Sequence, residues 1–329
     1  MEDVSQPIKY NDRTVSIPEI DTSDDTCRLS LRTDPAPLVA SIRHVGLINP
    51  PILWQRQDLK YKIVCGFCRV MACKELGWHE IKVRVLRGSP TELDLLKLAI
   101  LDSRSHRQLS VVEQAHGIQK LSPHVPRRNR LQILSSLLGF PQNQKVFKKI
   151  EALSRLPGAV QAGVTDEIVS FEAAVDLSEF SDEDALSFFK LFKVLKLSQN
   201  KQKEVITLVQ EIAIREDLQP RDVLQSKEVR RILNRRKLNR NEKASKVRAH
   251  LKQRRFPALV KAEERFSKEL KALKLSEHVH MTPPPYFETG LYTLRMTFRN
   301  MKDFDDRRKT LDAMAKKPAL KRLLEPFDE

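Results

Sequence analysis

The run Lys62-Ile63-Val64-Cys65-Gly66-Phe67-Cys68-Arg69-Val70-Met71-Ala72-Cys73 decides how the N-terminal half is read. Ile63, Val64 and Cys65 form an apolar, strand-like stretch, Gly66 supplies a turn, and Val70 and Cys73 then recur at helical spacing. A strand ending in glycine with an arginine in the next helical turn offers backbone N–H groups, a helix dipole and a guanidinium to an anion. Three of the four cysteines also fall here, which invites a metal or thiol-redox reading. Structural zinc needs four ligands, and the further candidates Cys27, His44 and His79 are scattered. A thioredoxin-type pair places its first cysteine at a helix start, and Gly66-Phe67 is a poor match for the residues between. Cys65 and Cys73 are read as core packing, and no metal ligand is expected.

Outward from this run, strands are expected at 50–54, 61–65 and 80–86, the last alternating charged and apolar residues, with helices at 38–45, 69–76 and 91–101. Strands and helices alternating this tightly make a compact α/β domain over residues 29–108. Residues 1–28 show no sustained periodicity and are read as a flexible arm with a short strand near 14–17.

After Leu109 the strand signals stop. Ser110 and Glu113 form a capping box for a helix over 110–121, and a second helix is expected over 131–138. Gly139-Phe140-Pro141 breaks the pattern, which resumes over 142–153. Two helices joined by a tight glycine turn suit either an ordinary helical hairpin or a helix-turn-helix whose second helix enters the major groove. In the second case Gln142, Asn143, Gln144, Lys145, Lys148 and Lys149 face DNA, because Gln and Asn bond adenine edges while Lys suits guanine or phosphate. This all-helical unit spans 109–180, with a helical extension over 181–226.

Residues 227–255 contain two acidic residues, Glu228 and Glu242, among many basic ones. They read as a basic linker or helix, with Arg230, Arg231, Arg235, Arg236 and Lys237 as candidate phosphate contacts. The remainder, 256–329, reads as a small α-β-β-α unit able to dimerise. The whole is an α+β, multidomain chain. With 59 Lys+Arg against 43 Asp+Glu, its formal net charge of +16 favours a polyanionic partner. No apolar run approaches the ~18 residues of a membrane span, and the N-terminus lacks an export signal.

The order of these features resembles the ParB family. Residues 38–51, LVASIRHVGLINPP, look like the opening box of the ParB N-terminal domain. Residues 61–72 are similar to the second box, usually Gly-Glu-Arg-Arg followed by Arg-Ala, and residues 77–85 continue it. Residues 101–110, LDSRSHRQLS, fall where the family carries Glu-Asn-x-x-Arg and then Leu-Ser, with Glu113-Gln114-Ala115 matching the next element. Leu156-Pro157 and Phe171-Glu172-Ala173-Ala174 resemble the segment C-terminal to the family's helix-turn-helix. The likeness covers residues 30–180.

The resemblance implies a ParB/sulfiredoxin-like N-terminal domain followed by a helix-turn-helix DNA-binding domain. It implies double-stranded DNA as partner, a homodimer, a ParA-type ATPase and a nucleoid-associated, cytoplasmic setting. It further implies a cytidine triphosphate site, with Mg2+, at Gly66, Arg69, Asp102, Ser103 and His106. Phe67 and Cys68 replace the acid and first arginine of the second box, and Met71 stands where another arginine is common. Ser103 and His106 replace Asn and Arg in the third. Nucleotide binding is therefore expected to be weak, altered or absent, and no catalytic residue is assigned. In the sulfiredoxin alignment Phe67 stands at the catalytic cysteine, so that chemistry is not supported. The expected role is chromosome, plasmid or phage DNA partition, with transcriptional regulation, or a CTPase or kinase in the N-terminal domain, as alternatives.

Overall fold

The computed structural model describes residues 9–30 and 34–325. The chain divides into two compact units, Met1–Ile206 and Thr207–Glu329. Residues 1–8 of the expected arm and 326–329 of the expected C-terminal unit lie outside the described residues.

The first unit begins with β1 (Tyr10–Ser16), a 3-10 turn at Ile17–Glu19 and β2 (Ile20–Asp21). Then come α1 (Ala36–Val45), β3 (Ile52–Gln55), β4 (Tyr61–Cys65), α2 (Phe67–Glu75), β5 (Glu80–Leu86) and α3 (Glu92–His106). The strands form one mixed sheet in the order β1-β5-β3-β4-β2. β1 lies antiparallel to β5, from Tyr10 opposite Leu86 to Ser16 opposite Glu80. β2 runs parallel to β4, Ile20 opposite Tyr61.

Tyr10–Ser16 and Ile20–Asp21 are thus part of the sheet, which extends the short strand expected near 14–17 and corrects the expected flexible arm. The buried positions Val15, Ile17 and Ile20 join the same core as Ile81 and Val83, so their hydrophobic pattern is completed by strands far along the chain. Local periodicity could not show that.

Two cores flank the sheet. Ile42, Leu53, Ile63, Val70, Cys73 and Val83 belong to one, and Cys27, Val64, Cys65, Leu95 and Ala99 to the other. Cys65 and Cys73 are both buried and free of disulfides. α3 starts at a capping box between Thr91 and Asp94 and extends past the expected end to His106. Asp102, Ser103 and His106 therefore ride on its final turns.

α4 (Val111–Leu121), α5 (Arg130–Leu138), α6 (Gln144–Leu153), α7 (Gly158–Thr165), α8 (Phe171–Leu177) and α9 (Asp182–Leu195) follow, then α10 (Gln199–Glu216). The Ser110–Glu113 capping box at α4 is present. Ile118, Leu121, Leu134, Leu138, Leu153 and Leu177 are fully buried, giving this helical region its own core.

The second unit contains α11 (Pro220–Leu224), α12 (Lys227–Asn234), α13 (Arg240–Arg255), α14 (Pro257–Leu273), β6 (Val279–Thr282), β7 (Thr293–Met296), α15 (Met301–Ala315) and α16 (Pro318–Leu324). The basic run is two helices. Asn239 caps the second, its side chain accepting the backbone N–H of Glu242. β6 and β7 pair antiparallel, Val279 opposite Met296. The sequence did not anticipate α16, which is held to α14 by Arg322 and Glu269 at 2.7 Å and by Ala319 and Leu323 in a shared core with Phe266 and Leu273.

Candidate functional site

The switch from β4 to α2 is made by Gly66, the N-cap of α2, with φ 89°. That left-handed conformation favours glycine. A Cβ there would also lie 2.8 Å from the Arg69 Nε, so the missing side chain lets the Arg69 guanidinium fold back over the turn.

Beside this turn lies a cleft of about 210 Å³. Gly66, Arg69, Asp102 and Ser103 line it, as the sequence led us to expect, together with Phe67 and Cys68. His106 does not. Its Nδ1 lies 2.7 Å from the carbonyl of Asp102 and 3.0 Å from the Ser105 hydroxyl, on its own helix turn. Arg107, one residue on, lines the cleft instead. The family spacing misplaced the basic group by one residue because the backbone leaves the helix at Arg107, whose φ and ψ are −164° and 166°.

Sequence reasoning also missed Asp24, Arg28 and Glu113 in the cleft wall. Arg28 and Asp24 sit in the segment read as an arm, and Glu113 was read as a helix cap and a motif residue but not as part of the cleft. Glu113 is 5% exposed.

The charges of the cleft are matched internally. Arg69 donates to the Asn49 carbonyl at 2.9 Å and lies 3.7 Å from Asp102. Arg107 grips Glu113 through two bonds of 2.7 and 2.6 Å. Burial alone would push the Glu113 carboxyl up, yet the hydrogen bonds from Arg107 and the Ser110 N–H hold it below its ordinary range. Arg28 stacks 4.7 Å over the Phe67 ring and donates to the Ser30 carbonyl at 3.0 Å. Asp24 pairs with Lys62 at 3.2 Å and with Arg56.

A triphosphate with Mg2+ would have to displace these pairings to bind here. Its charge would need guanidinium groups that are already bonded to carboxylates and carbonyls, beside three carboxylates that repel it. The thiols are no better as nucleophiles. Burial pushes Cys27 up to about 11, and it also raises Cys65, helped by the neighbouring Asp102. The Cys68 thiol is likewise raised by burial, against the pull of Arg28, Arg69 and Arg107. A thiolate is the reactive form, and these sites disfavour it. Among the described residues, no group of three or more His, Cys, Asp or Glu is gathered to hold a metal ion.

Residues 4–102 match the ParB N-terminal domain. A nucleoid occlusion protein from Bacillus mycoides (strain KBAB4) is 28% identical over 196 residues, 59% of this chain and 63% of that protein. The match thus spans less than two thirds of that relative's length. The C-terminally truncated chromosome-partitioning protein ParB of Caulobacter crescentus has been solved with CTP-gamma-S. It aligns at 20% identity and a TM-score of 0.27, covering 55% of this chain and 98% of that one. The same protein complexed to the centromeric parS site aligns at 19% identity and a TM-score of 0.34, covering 58% and 96%.

The α/β domain is joined to the succeeding helices through α3. Arg104, next to the cleft residues Asp102 and Ser103, donates to the carbonyls of Ser136 and Leu137 at 2.5 and 2.9 Å. These are the last carbonyls of α5, which otherwise lack helical partners. Gly139 comes next in a left-handed cap, φ 77°.

α6 then starts two residues later than expected, at Gln144, because Asn143 is its N-cap. The Asn143 side chain accepts from the Lys145 and Val146 N–H groups at 2.8 and 3.3 Å. Lys149 bonds both Glu172 oxygens, at 2.9 and 2.7 Å. Of the six α6 candidates, Gln142, Gln144, Lys145 and Lys148 are exposed without either commitment. On the basic helices, Arg230 donates to Gln225 and Arg231 pairs with Glu228, while Arg235, Arg236 and Lys237 are exposed in the turn before α13.

Proposed function

We propose that this chain is a sequence-specific DNA-binding protein of the ParB type, acting in chromosome, plasmid or phage DNA partition or maintenance, with nucleotide switching weakened or lost. The ParB N-terminal domain and the kinship with nucleoid occlusion proteins support the class. The observation that carries the mode of binding is the pair α5 and α6. A helix with one buried face and a glycine cap leads through a short turn into a helix whose first two turns expose Gln144, Lys145 and Lys148. In this reading α6 enters the major groove and those residues read base edges, with Gln142 at its entrance.

Arg235, Arg236 and Lys237 grip phosphates without reading sequence. Paired half-sites require a two-fold, so the chain works as a homodimer, and β6, β7 and α15 supply a surface for it. Leu294, Phe298 and Met301 are exposed there. A ParA-type ATPase is the expected motor partner. The helices of the described residues include none long and apolar enough to cross a membrane.

The test is a pull-down of fragmented DNA with sequencing, wild type against Lys148→Ala. A discrete enriched motif that the variant loses supports the reading. Wild-type enrichment that tracks fragment length alone defeats it.

A further inference from the structure

His116 lies half-buried on α4 and bridges two regions. Its Nδ1 is 2.8 Å from the carbonyl oxygen of Leu29, a residue of the cleft wall. Its Nε2 is 2.6 Å from Oε1 of Gln161 on α7. Gln161 is 6% exposed, and its amide nitrogen donates to the Leu156 carbonyl at 2.8 Å and approaches that of Ser154 at 3.5 Å. Ser154 is the C-cap of α6. One chain of hydrogen bonds therefore runs from the cleft wall to the end of α6.

The Leu29 carbonyl can only accept. The Gln161 amide cannot be reversed, because its oxygen would then face the carbonyls of Leu156 and Ser154. Both imidazole nitrogens thus meet acceptors, whereas neutral imidazole carries a single N–H. We infer that His116 is a doubly donating imidazolium that latches the 25–29 segment of the cleft wall to α7 and the end of α6, and that the latch opens when the ring loses a proton. Either neutral tautomer must abandon Leu29 or Gln161.

The surrounding charges are themselves paired. On α4, Lys120 lies one turn along and donates to the carbonyls of Asp25, Thr26 and Arg28, and Glu113 is held by Arg107. On the wall segment Arg28 stacks on Phe67, Asp24 pairs with Lys62, and Asp25 adds an acidic side chain. α3 contributes Arg104, bound to the end of α5, and α5 contributes Arg130, which donates to the Ser122 carbonyl at 2.8 Å. α6 contributes Glu151, beside Arg155, while α7 has no titratable side chain.

The latch does not depend on DNA reading. Only its consequence, a weaker hold on a DNA site as pH rises, rests on the proposed function. The test uses the full chain labelled with 15N-histidine, titrated from about pH 6 to about pH 8.5. The His116 signals are identified by their loss in His116→Gln. Both ring nitrogens are expected at protonated shifts at the acidic end. On raising pH, backbone exchange protection of residues 25–30 should fall about tenfold, the worth of one charge-assisted hydrogen bond. A neutral tautomer throughout, or flat protection, overturns the latch. Should His116→Gln fail to fold, the wild-type exchange series still decides, since it needs no assignment. DNA affinity measured in parallel should weaken over the same pH window. An opening latch with unchanged affinity would count against the DNA reading and leave the latch standing.

Discussion

Two basic regions of the first unit use positive charge in opposite ways. In the cleft, Arg69 is bonded to the Asn49 carbonyl and lies 3.7 Å from Asp102, Arg107 is bonded to Glu113, and Arg28 lies on an aromatic ring. At the start of α6, Lys145 and Lys148 are exposed to solvent. The contrast comes from the partner: Glu113 is buried and needs a cation, so it holds Arg107 even though the Arg107 side chain is itself 53% exposed. A charge removed from water must be neutralised by the fold itself, and once neutralised it has little left to offer a ligand. A charge left in water costs nothing to keep and can exchange its counterions for phosphates. In this account α6 carries the binding function, and the cleft has become part of the architecture.

The sharpest way to break the comparison is to strip the exposed side. Replacing Gln144, Lys145 and Lys148 by Ala should lower affinity for the selected site by about 100-fold or more, at ~1–3 kcal/mol per base contact. Thermal stability should be little changed. Fluorescence anisotropy on a labelled site measures it, and a loss under about threefold would remove α6 from the interface.

The cleft should answer in stability instead. Arg107→Ala leaves Glu113 buried without its partner and should cost ~2–3 kcal/mol, read as a lower Tm. The pH dependence has a definite sign. The Glu113 carboxyl is held below its ordinary range in the folded state, so its stabilisation is present above its unfolded value and lost as pH falls through the folded one. Asp21 behaves likewise. The Ser23 hydroxyl and N–H that donate to it, aided by Arg56, bring it from 3.8 to about 2. Wild type should therefore lose stability as pH drops below about 4, and Arg107→Ala should show a shallower acid limb. An unchanged limb in that variant would mean the pair is worthless.

A smaller effect belongs to the second unit. Replacing Arg235, Arg236 and Lys237 together by Ala should weaken all DNA sequences alike and lower the slope of log affinity against log salt by about 3. A change in which sequence is preferred would instead make them readers of bases. Smallest of all is Lys149→Ala. Lys149 already bonds Glu172 in an exposed pair, so its removal should cost less than about 1 kcal/mol in affinity. A loss as large as that of Lys148→Ala would show that DNA takes Lys149 away from Glu172.

Much of this was legible in the sequence where the signal is local. The strand, glycine and helix of residues 61–75 and the capping box at Ser110 needed no distant partner. The short strand expected near 14–17 overlaps β1, but the rest of residues 10–21 was read as an arm because β1 and β2 are defined by strands far along the chain. The cleft was half legible. Gly66, Arg69, Asp102 and Ser103 can be read from motif spacing. Arg28 reaches the cleft through tertiary packing, and Arg107 displaces His106 through the unwinding of one residue at the end of α3. The partners of Asn143 and Lys149 were not legible for another reason. Residue type shows that a side chain can reach DNA, but not that a cap or a carboxylate already holds it.

The most direct test of the account is a DNA-binding isotherm for the wild-type chain on its selected site, recorded with and without Mg2+ and CTP at on the order of millimolar concentration, ATP and GTP serving as controls. The account predicts superimposable curves, because Arg69 and Arg107 remain with Asp102 and Glu113. A shift produced by CTP alone, and abolished by Arg69→Ala, would contradict it and show that the cleft still works as a nucleotide switch.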